Sequence, residues 1–362
     1  MDSSPTPALS ALAHGVAAPQ HGPRPLPLFL NILWRETEND PELRRRAFQG
    51  LRRYQETSRP PPPPAADLFA AAGSAKLLRY GSEQGRAPVV FLPSLINPPR
   101  VLDLSESRSM LRHMAAAGHD AYLVDWGHPG ASDATLGLEG HVMQRLMPML
   151  AALPQPPILV GYCLGGSLAI GAAALRGVRA LATIAAPWQF DGFPDADRDL
   201  VASLWRGSKP TCERLGYVPM EVLQSGFWAM DPARTIRKYA AFADAEPGSD
   251  AERAFLAVED WANGGSPLSF AAGRDLFEKF YAANESGRLQ WRVDGKLVDP
   301  AKLACPTLSF RSATDRIVPA AAAPNLAESL TLSLGHVGMI VGSSARKLLW
   351  EPLSEWLSSH GG

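Results

Sequence analysis

Cys163 stands between glycines in Gly161-Tyr162-Cys163-Leu164-Gly165, directly after the apolar run Pro157-Ile158-Leu159-Val160 and before the small-residue run 167–172. That order predicts a strand, a sharp turn and a helix, with the reactive atom lifted clear of the sheet at the turn. Glycines flank it because so tight a turn leaves little room for neighbouring Cβ atoms. The lifted atom is sulfur, which points to chemistry in which an acyl group is held as a thioester and passed on. A thiol nucleophile needs a base to take its proton and a third group to hold that base in the right tautomer. Asp315, in Thr314-Asp315-Arg316-Ile317-Val318-Pro319, and His336, in Leu334-Gly335-His336-Val337-Gly338, supply both, each in a loop just after a predicted strand.

Each of the three has a plainer reading: a core cysteine, a turn aspartate and a polar surface histidine. Their order and their matching places in the strand–helix alternation favour the joint reading, since nucleophile, acid, histidine is the sequence order of an α/β-hydrolase fold. Asp125 also ends a strand and is a rival acid. Its place ahead of the turn, in Asp125-Trp126-Gly127-His128-Pro129-Gly130, fits the shaping of a loop better. His113, His119, His128 and His141 lack such a loop context and read as structural or exposed. Attack on a thioester carbonyl creates an oxyanion, which backbone N–H groups must stabilise. Leu164, next after the nucleophile, offers one; Ser94 or Leu95, in the loop after strand 89–92, offers the other.

The elements that must position these residues follow from hydrophobic period. Residues 76–80, 89–92, 121–125, the run before Cys163, 180–185, 307–310 and 331–334 read as strands, with helices at 110–117, 141–153 and after the turn. This is an α/β chain with a mostly parallel, doubly wound sheet. The alternation stops between 188 and 291, a mostly helical stretch rich in aromatics. An insertion at that point falls over the carboxyl ends of the strands and is expected to be a cap. We therefore expect a core of 75–187 and 298–362 with a cap at 188–297. Ahead of it, 1–74 forms a leader with helices at 28–34 and 41–54 and a proline linker at 60–64, read as a plain spacer in preference to a proline ligand.

The chain has 362 residues, 46% hydrophobic, enough for a sizeable core, and a net charge of −1, which gives no general attraction for nucleic acid or anionic membrane. No apolar stretch is long enough to span a bilayer, and residues 1–20 lack the pattern of a secretory signal. Three cysteines without metal-ligand spacing disfavour a disulfide framework or a metal site and fit a reducing cytoplasm. Cys212 and Cys305 read as ordinary thiols.

With these motifs on the page, the chain resembles the polyhydroxyalkanoate synthases. Gly161-Tyr162-Cys163-Leu164-Gly165-Gly166 is similar to that family's cysteine box. Pro93-Ser94-Leu95-Ile96-Asn97, Tyr122-Leu123-Val124-Asp125-Trp126-Gly127, Asp315-Arg316-Ile317-Val318-Pro319 and Gly335-His336-Val337-Gly338-Met339 resemble its other loops, the last closest to the short, two-component (class III) synthases. The resemblance runs from about residue 75 to the C-terminus and is weaker in the cap. It implies a catalytic Cys163, His336 and Asp315, with Cys163 taking a hydroxyacyl group from a coenzyme A thioester that is substrate, not cofactor. His336 deprotonates the thiol, and either it or Asp315 activates the incoming hydroxyl. The implied partners are hydroxyacyl-coenzyme A, a polyester chain or granule surface, and a second copy or second synthase subunit. Two other readings stand beside it: a cysteine-dependent thioesterase or polyester depolymerase, and an inactive granule- or partner-binding relative.

Overall fold

A computed structural model of the chain describes residues 22–81 and 86–361; residues 1–20, read above for a signal sequence, lie outside them. The chain divides into two compact units, one made of the described residues up to Pro60 with Pro232–Asn263, the other of Pro61–Asp231 with Gly264–Gly362.

The larger unit is built on an eight-stranded sheet of β1 (Asp67–Ala72), β2 (Ala75–Arg79), β3 (Val89–Leu92), β4 (Ala121–Asp125), β5 (Ile158–Tyr162), β6 (Ala180–Ile184), β7 (Thr307–Ser312) and β8 (Glu328–Leu332), in the order β1-β2-β4-β3-β5-β6-β7-β8. From β4 to β8 every pairing is parallel; β1 and β2 are antiparallel at one edge. Strands β3, β5 and β6 are buried along their whole length, as their unbroken apolar runs require of parallel strands covered on both faces. The outer strand β8 is exposed except at its end. The sheet is therefore the mostly parallel, doubly wound one expected. Strand β1 was not expected: it begins ahead of residue 75, in a stretch whose alanines carry little β-propensity, and it forms by pairing with β2.

The stretch between β6 and β7 is mostly helical, with helices Asp195–Leu215, Met220–Met230, Pro232–Ala243 and Asp250–Ala262. The last two belong to the smaller unit, where they pack with Leu26–Glu36 and Pro41–Glu56. The second of these starts at Asp40, whose side chain accepts the Leu43 N–H at 2.9 Å, with Pro41 at the first helical position. Gly50 lies against the Tyr239 backbone, where an added Cβ would sit 1.8 Å from the carbonyl oxygen. Around that contact Phe29 and Tyr54 meet Tyr239 edge-on at 4.8 and 5.8 Å. Half-buried ion pairs Arg53–Glu252 (2.6 Å) and Arg59–Asp260 (2.8 Å) close the unit. Its boundaries differ from a leader ending at 74 and a cap spanning 188–297, because an amphipathic pattern shows that a helix has an apolar face without showing which partner covers it.

Candidate active site

Cys163 is the joint between β5 and the helix Leu164–Leu175, with φ 54° and ψ −133°. A non-glycine residue held there costs on the order of 1–3 kcal/mol and persists only where its surroundings enforce it. Two hydrogen bonds do so: the Cys163 N–H donates to Ile184 of β6 at 2.9 Å, and its carbonyl accepts the Gly166 N–H at 2.8 Å. The flanking glycines are required by close approach. A Cβ on Gly161 would lie 2.3 Å from the Gly166 Cα, and one on Gly165 would lie 2.2 Å from the Leu92 carbonyl oxygen.

Asp315 and His336 come from neighbouring strand ends. β7 and β8 run parallel in a register that pairs Ser312 with Leu332. Beyond that point Ala313 N–H donates to the Leu332 carbonyl at 2.9 Å and Ser312 Oγ donates to the Leu334 carbonyl. The two loops are thereby stitched together, and Asp315 Oδ2 reaches His336 Nδ1 at 2.6 Å, both residues buried. The other carboxylate oxygen accepts the N–H groups of Ile317 (2.8 Å) and Val318 (3.0 Å). A carboxylate so placed only accepts, so Nδ1 carries a proton and Nε2 is the nitrogen left to exchange one with the Cys163 sulfur. Burial opposes charge on His336, but the Cys163 sulfur and the Asp315 carboxylate outweigh it and lift its pKa to about 10. The structure therefore brings the three residues together.

The oxyanion candidates follow the ends of the neighbouring parallel strands β3 and β5. Leu164 opens a helix, so its N–H has no intrahelical carbonyl to meet. The loop after β3 rests on the same helix start through Gly165. Ser94 and Leu95 in that loop are buried, and the Ser94 hydroxyl accepts the Ile96 N–H at 3.2 Å. Asp125 accepts the Gly127 N–H at 2.9 Å, the bond of a residue that shapes its own turn. His119 meets Ser354 at 2.9 Å, His128 meets Ser266 at 2.8 Å, His141 meets the Gly137 carbonyl at 2.8 Å, and His113 lies beside Trp350. Burial pushes the thiols of Cys212 and Cys305 up from their ordinary value. Among the described residues no cluster of three or more His, Cys, Asp or Glu side chains is arranged to hold a metal, and no helix is long and apolar enough to cross a membrane.

Sequence reasoning gave no role to two tyrosines at the site. Tyr162, inside the glycine-flanked motif, is buried with its ring 5.1 Å from the His336 imidazole and its hydroxyl 3.4 Å from the His336 carbonyl. Tyr281, in the insertion, has its pKa raised above the ordinary value by burial first and by the charge of Cys163 second. Only the proximity of Tyr162 to Cys163 could have flagged it; nothing in the sequence ties Tyr281 to the turn.

Residues 89–341 match the alpha/beta hydrolase family. The chain is 29% identical over 76% of its length to the poly(3-hydroxyalkanoate) polymerase subunit PhaC of Haloarcula marismortui and 30% identical over 78% to that of Haloferax mediterranei. It spans 62% and 61% of the lengths of those relatives. Among solved structures, a hydrolase from Pseudomonas aeruginosa is similar with a TM-score of 0.50 at 16% identity, covering 82% of this chain and 97% of its own; that likeness bears on the fold alone.

Proposed function

We propose that this chain, which belongs to the alpha/beta hydrolase family, is a polyhydroxyalkanoate synthase-like acyltransferase. It would move 3-hydroxyacyl groups from a coenzyme A thioester to a growing polyester through an acyl-cysteine. The observation that carries the reading is the sulfur of Cys163 in the strained turn, beside a histidine already oriented by a buried carboxylate. The relatives named as poly(3-hydroxyalkanoate) polymerase subunits support the substrate class.

The geometry supports the following steps. His336 Nε2 takes the Cys163 thiol proton while Asp315 holds Nδ1–H and stabilises the imidazolium. The sulfur bonds to the thioester carbonyl carbon, and the oxyanion is met by the Leu164 N–H and one from Ser94 or Leu95. Collapse breaks the carbon–sulfur bond to coenzyme A, whose thiolate leaves with the proton from His336. The acyl group remains on Cys163 until a hydroxyl attacks it, giving up its proton to His336 and expelling the Cys163 thiolate, a far better leaving group than an alkoxide. No metal or cofactor enters these steps. The same reading puts the enzyme in the cytoplasm at the surface of its polyester, with a second copy or a second synthase subunit as partner.

The test is incubation with 3-hydroxybutyryl-coenzyme A, scoring free coenzyme A, polymer and free 3-hydroxybutyrate together. Coenzyme A release matched by polymer is the expected result. Release matched by free acid makes the chain a thioesterase or depolymerase, and no release leaves an inactive relative.

A further inference from the structure

His336 is carried by a loop, whereas its neighbour Tyr162 is carried by the middle of the sheet. Strand β5 is buried throughout and paired on both sides, Gly161 with Leu92 of β3 and Tyr162 with Ile184 of β6. Side chains alternate across a strand, so Tyr162 projects from the face opposite to the one on which Gly161 meets Gly165 and Gly166. There its ring centroid lies 5.1 Å from that of the His336 imidazole, with the planes 32° apart, and its hydroxyl donates to the His336 carbonyl at 3.4 Å. Rings lying side by side in one plane cannot come so close, so the phenol offers its face to the imidazole.

The other partners of His336 act in the plane of its ring. Asp315 Oδ2 takes Nδ1 at 2.6 Å, and Nε2 is left to the Cys163 sulfur. Two in-plane partners fix where the imidazole points but leave it free to pivot about the line joining them, and a ring stacked on its face stops that pivot. The face of an aromatic ring is also electron-rich and attracts a cation within about 6 Å of its centroid. The groups facing His336 thus come from three places: the Asp315 carboxylate from the loop after β7, the Cys163 sulfur from the turn after β5, and the Tyr162 ring from β5 itself. Burial first, then the charges of Cys163 and Asp315, raise the pKa of the Tyr162 phenol well above its ordinary value, so it stays neutral and adds no charge of its own.

On the reading that His336 is the base for Cys163, we propose that Tyr162 is a positioning residue for that base, its ring face holding the imidazole on the sulfur and stabilising the imidazolium. The proton passes from Cys163 Sγ to His336 Nε2, leaving thiolate and imidazolium, and the tyrosine gives and takes none. Its hydroxyl is a minor tether, since a hydrogen bond of 3.4 Å is long and weak. The ring's attraction falls on the charged imidazole above the neutral one, so it favours the state from which sulfur attacks.

The experiment follows the His336 imidazole by NMR through a pH titration of the full chain with isotope-labelled histidine. Three forms are compared: the unmodified chain, Tyr162→Phe, and a chain with pentafluorophenylalanine at position 162, which keeps the ring's shape while its fluorines strip electrons from the face. The first two should titrate together, and the fluorinated ring should lower the midpoint by about 0.5–1.5 pH units, the worth of one cation–π contact. Acylation of Cys163 by 3-hydroxybutyryl-coenzyme A, read by mass spectrometry after rapid mixing, should slow by about 3- to 30-fold with the fluorinated ring and about twofold in Tyr162→Phe. An unchanged midpoint with the fluorinated ring overturns the proposal, as does a shifted midpoint with an unchanged rate of acylation. A loss in Tyr162→Phe as large as the fluorinated chain's also overturns it, by assigning the effect to the hydroxyl. If no form is acylated while the midpoint shifts as expected, the acyltransferase reading has failed and Tyr162 still holds the imidazole.

Discussion

Asp315→Asn changes one atom and one charge, yet it should disable the site. The two oxygens of Asp315 have different tasks: Oδ1 takes the N–H groups of Ile317 and Val318 at 2.8 and 3.0 Å, and Oδ2 takes His336 Nδ1 at 2.6 Å. In the variant the amide oxygen must keep the first place, since an NH2 group there would face two donors. The NH2 group then points at Nδ1, so His336 accepts there and carries its proton on Nε2, the nitrogen that should receive the thiol proton. Loss of a hydrogen bond to a charged group costs about 1.5–3 kcal/mol, which is about 10- to 150-fold in rate. The reversed tautomer adds to that, and the same change in a serine triad costs about 10⁴-fold. We expect Cys163 acylation by 3-hydroxybutyryl-coenzyme A to slow by about 10²- to 10⁴-fold, read by quenched-flow mass spectrometry. Alkylation of Cys163 by iodoacetamide at neutral pH should slow as well, because burial works against the His336 imidazolium and the Asp315 carboxylate helps sustain it. Acylation within about threefold of the unmodified rate refutes the reasoning, which rests on a tautomer change worth far more, and passes the acid role to Asp125.

Cys163→Ala should abolish coenzyme A release while leaving the far-ultraviolet circular dichroism unchanged, and residual turnover above about 1% would exclude an acyl-cysteine. The pKa of His336 is raised from 6.5 to about 10, so its imidazolium stabilises the fold fully below about pH 6.5 and that contribution fades as pH rises through about 10. The melting temperature of the unmodified chain should accordingly fall relative to His336→Gln across that window; a constant difference would show that the imidazolium adds nothing. Gly165→Ala places a Cβ 2.2 Å from the Leu92 and 2.4 Å from the Pro93 carbonyl oxygens. Backbone atoms cannot swing aside, so thermal unfolding should show a loss of about 1–3 kcal/mol, with slower acylation as the Ser94–Leu95 loop shifts. An unchanged melting temperature would mean that the loop yields freely.

The turn at Cys163 was legible from its flanking glycines, whose spacing is local. Gly161 is held by sterics within one strand–turn–helix, against Gly166, while Gly165 is pressed against Leu92 at the end of β3 and Gly166 against Ala186 just after β6. The parallel strands were legible because β3, β5 and β6 are buried on both faces and so read as unbroken apolar runs. Strand β1 was not, since Leu68 and its alanines are set in a strand by pairing with β2 and not by their own preference.

Sequence alone determined which residues could do the chemistry and in what order they arrive at the strand ends, because both follow from short-range sterics and hydrophobic period. It did not determine which side chains meet. The 2.6 Å contact of Asp315 with His336 depends on the register of β7 with β8, and the 5.1 Å approach of the Tyr162 and His336 rings joins β5 to a loop 174 residues later in the chain. The packing of Pro232–Ala243 onto Pro41–Glu56 through Gly50 is of the same kind. An apolar face needs covering in every fold it could join, and only the closed tertiary structure selects which surface covers it.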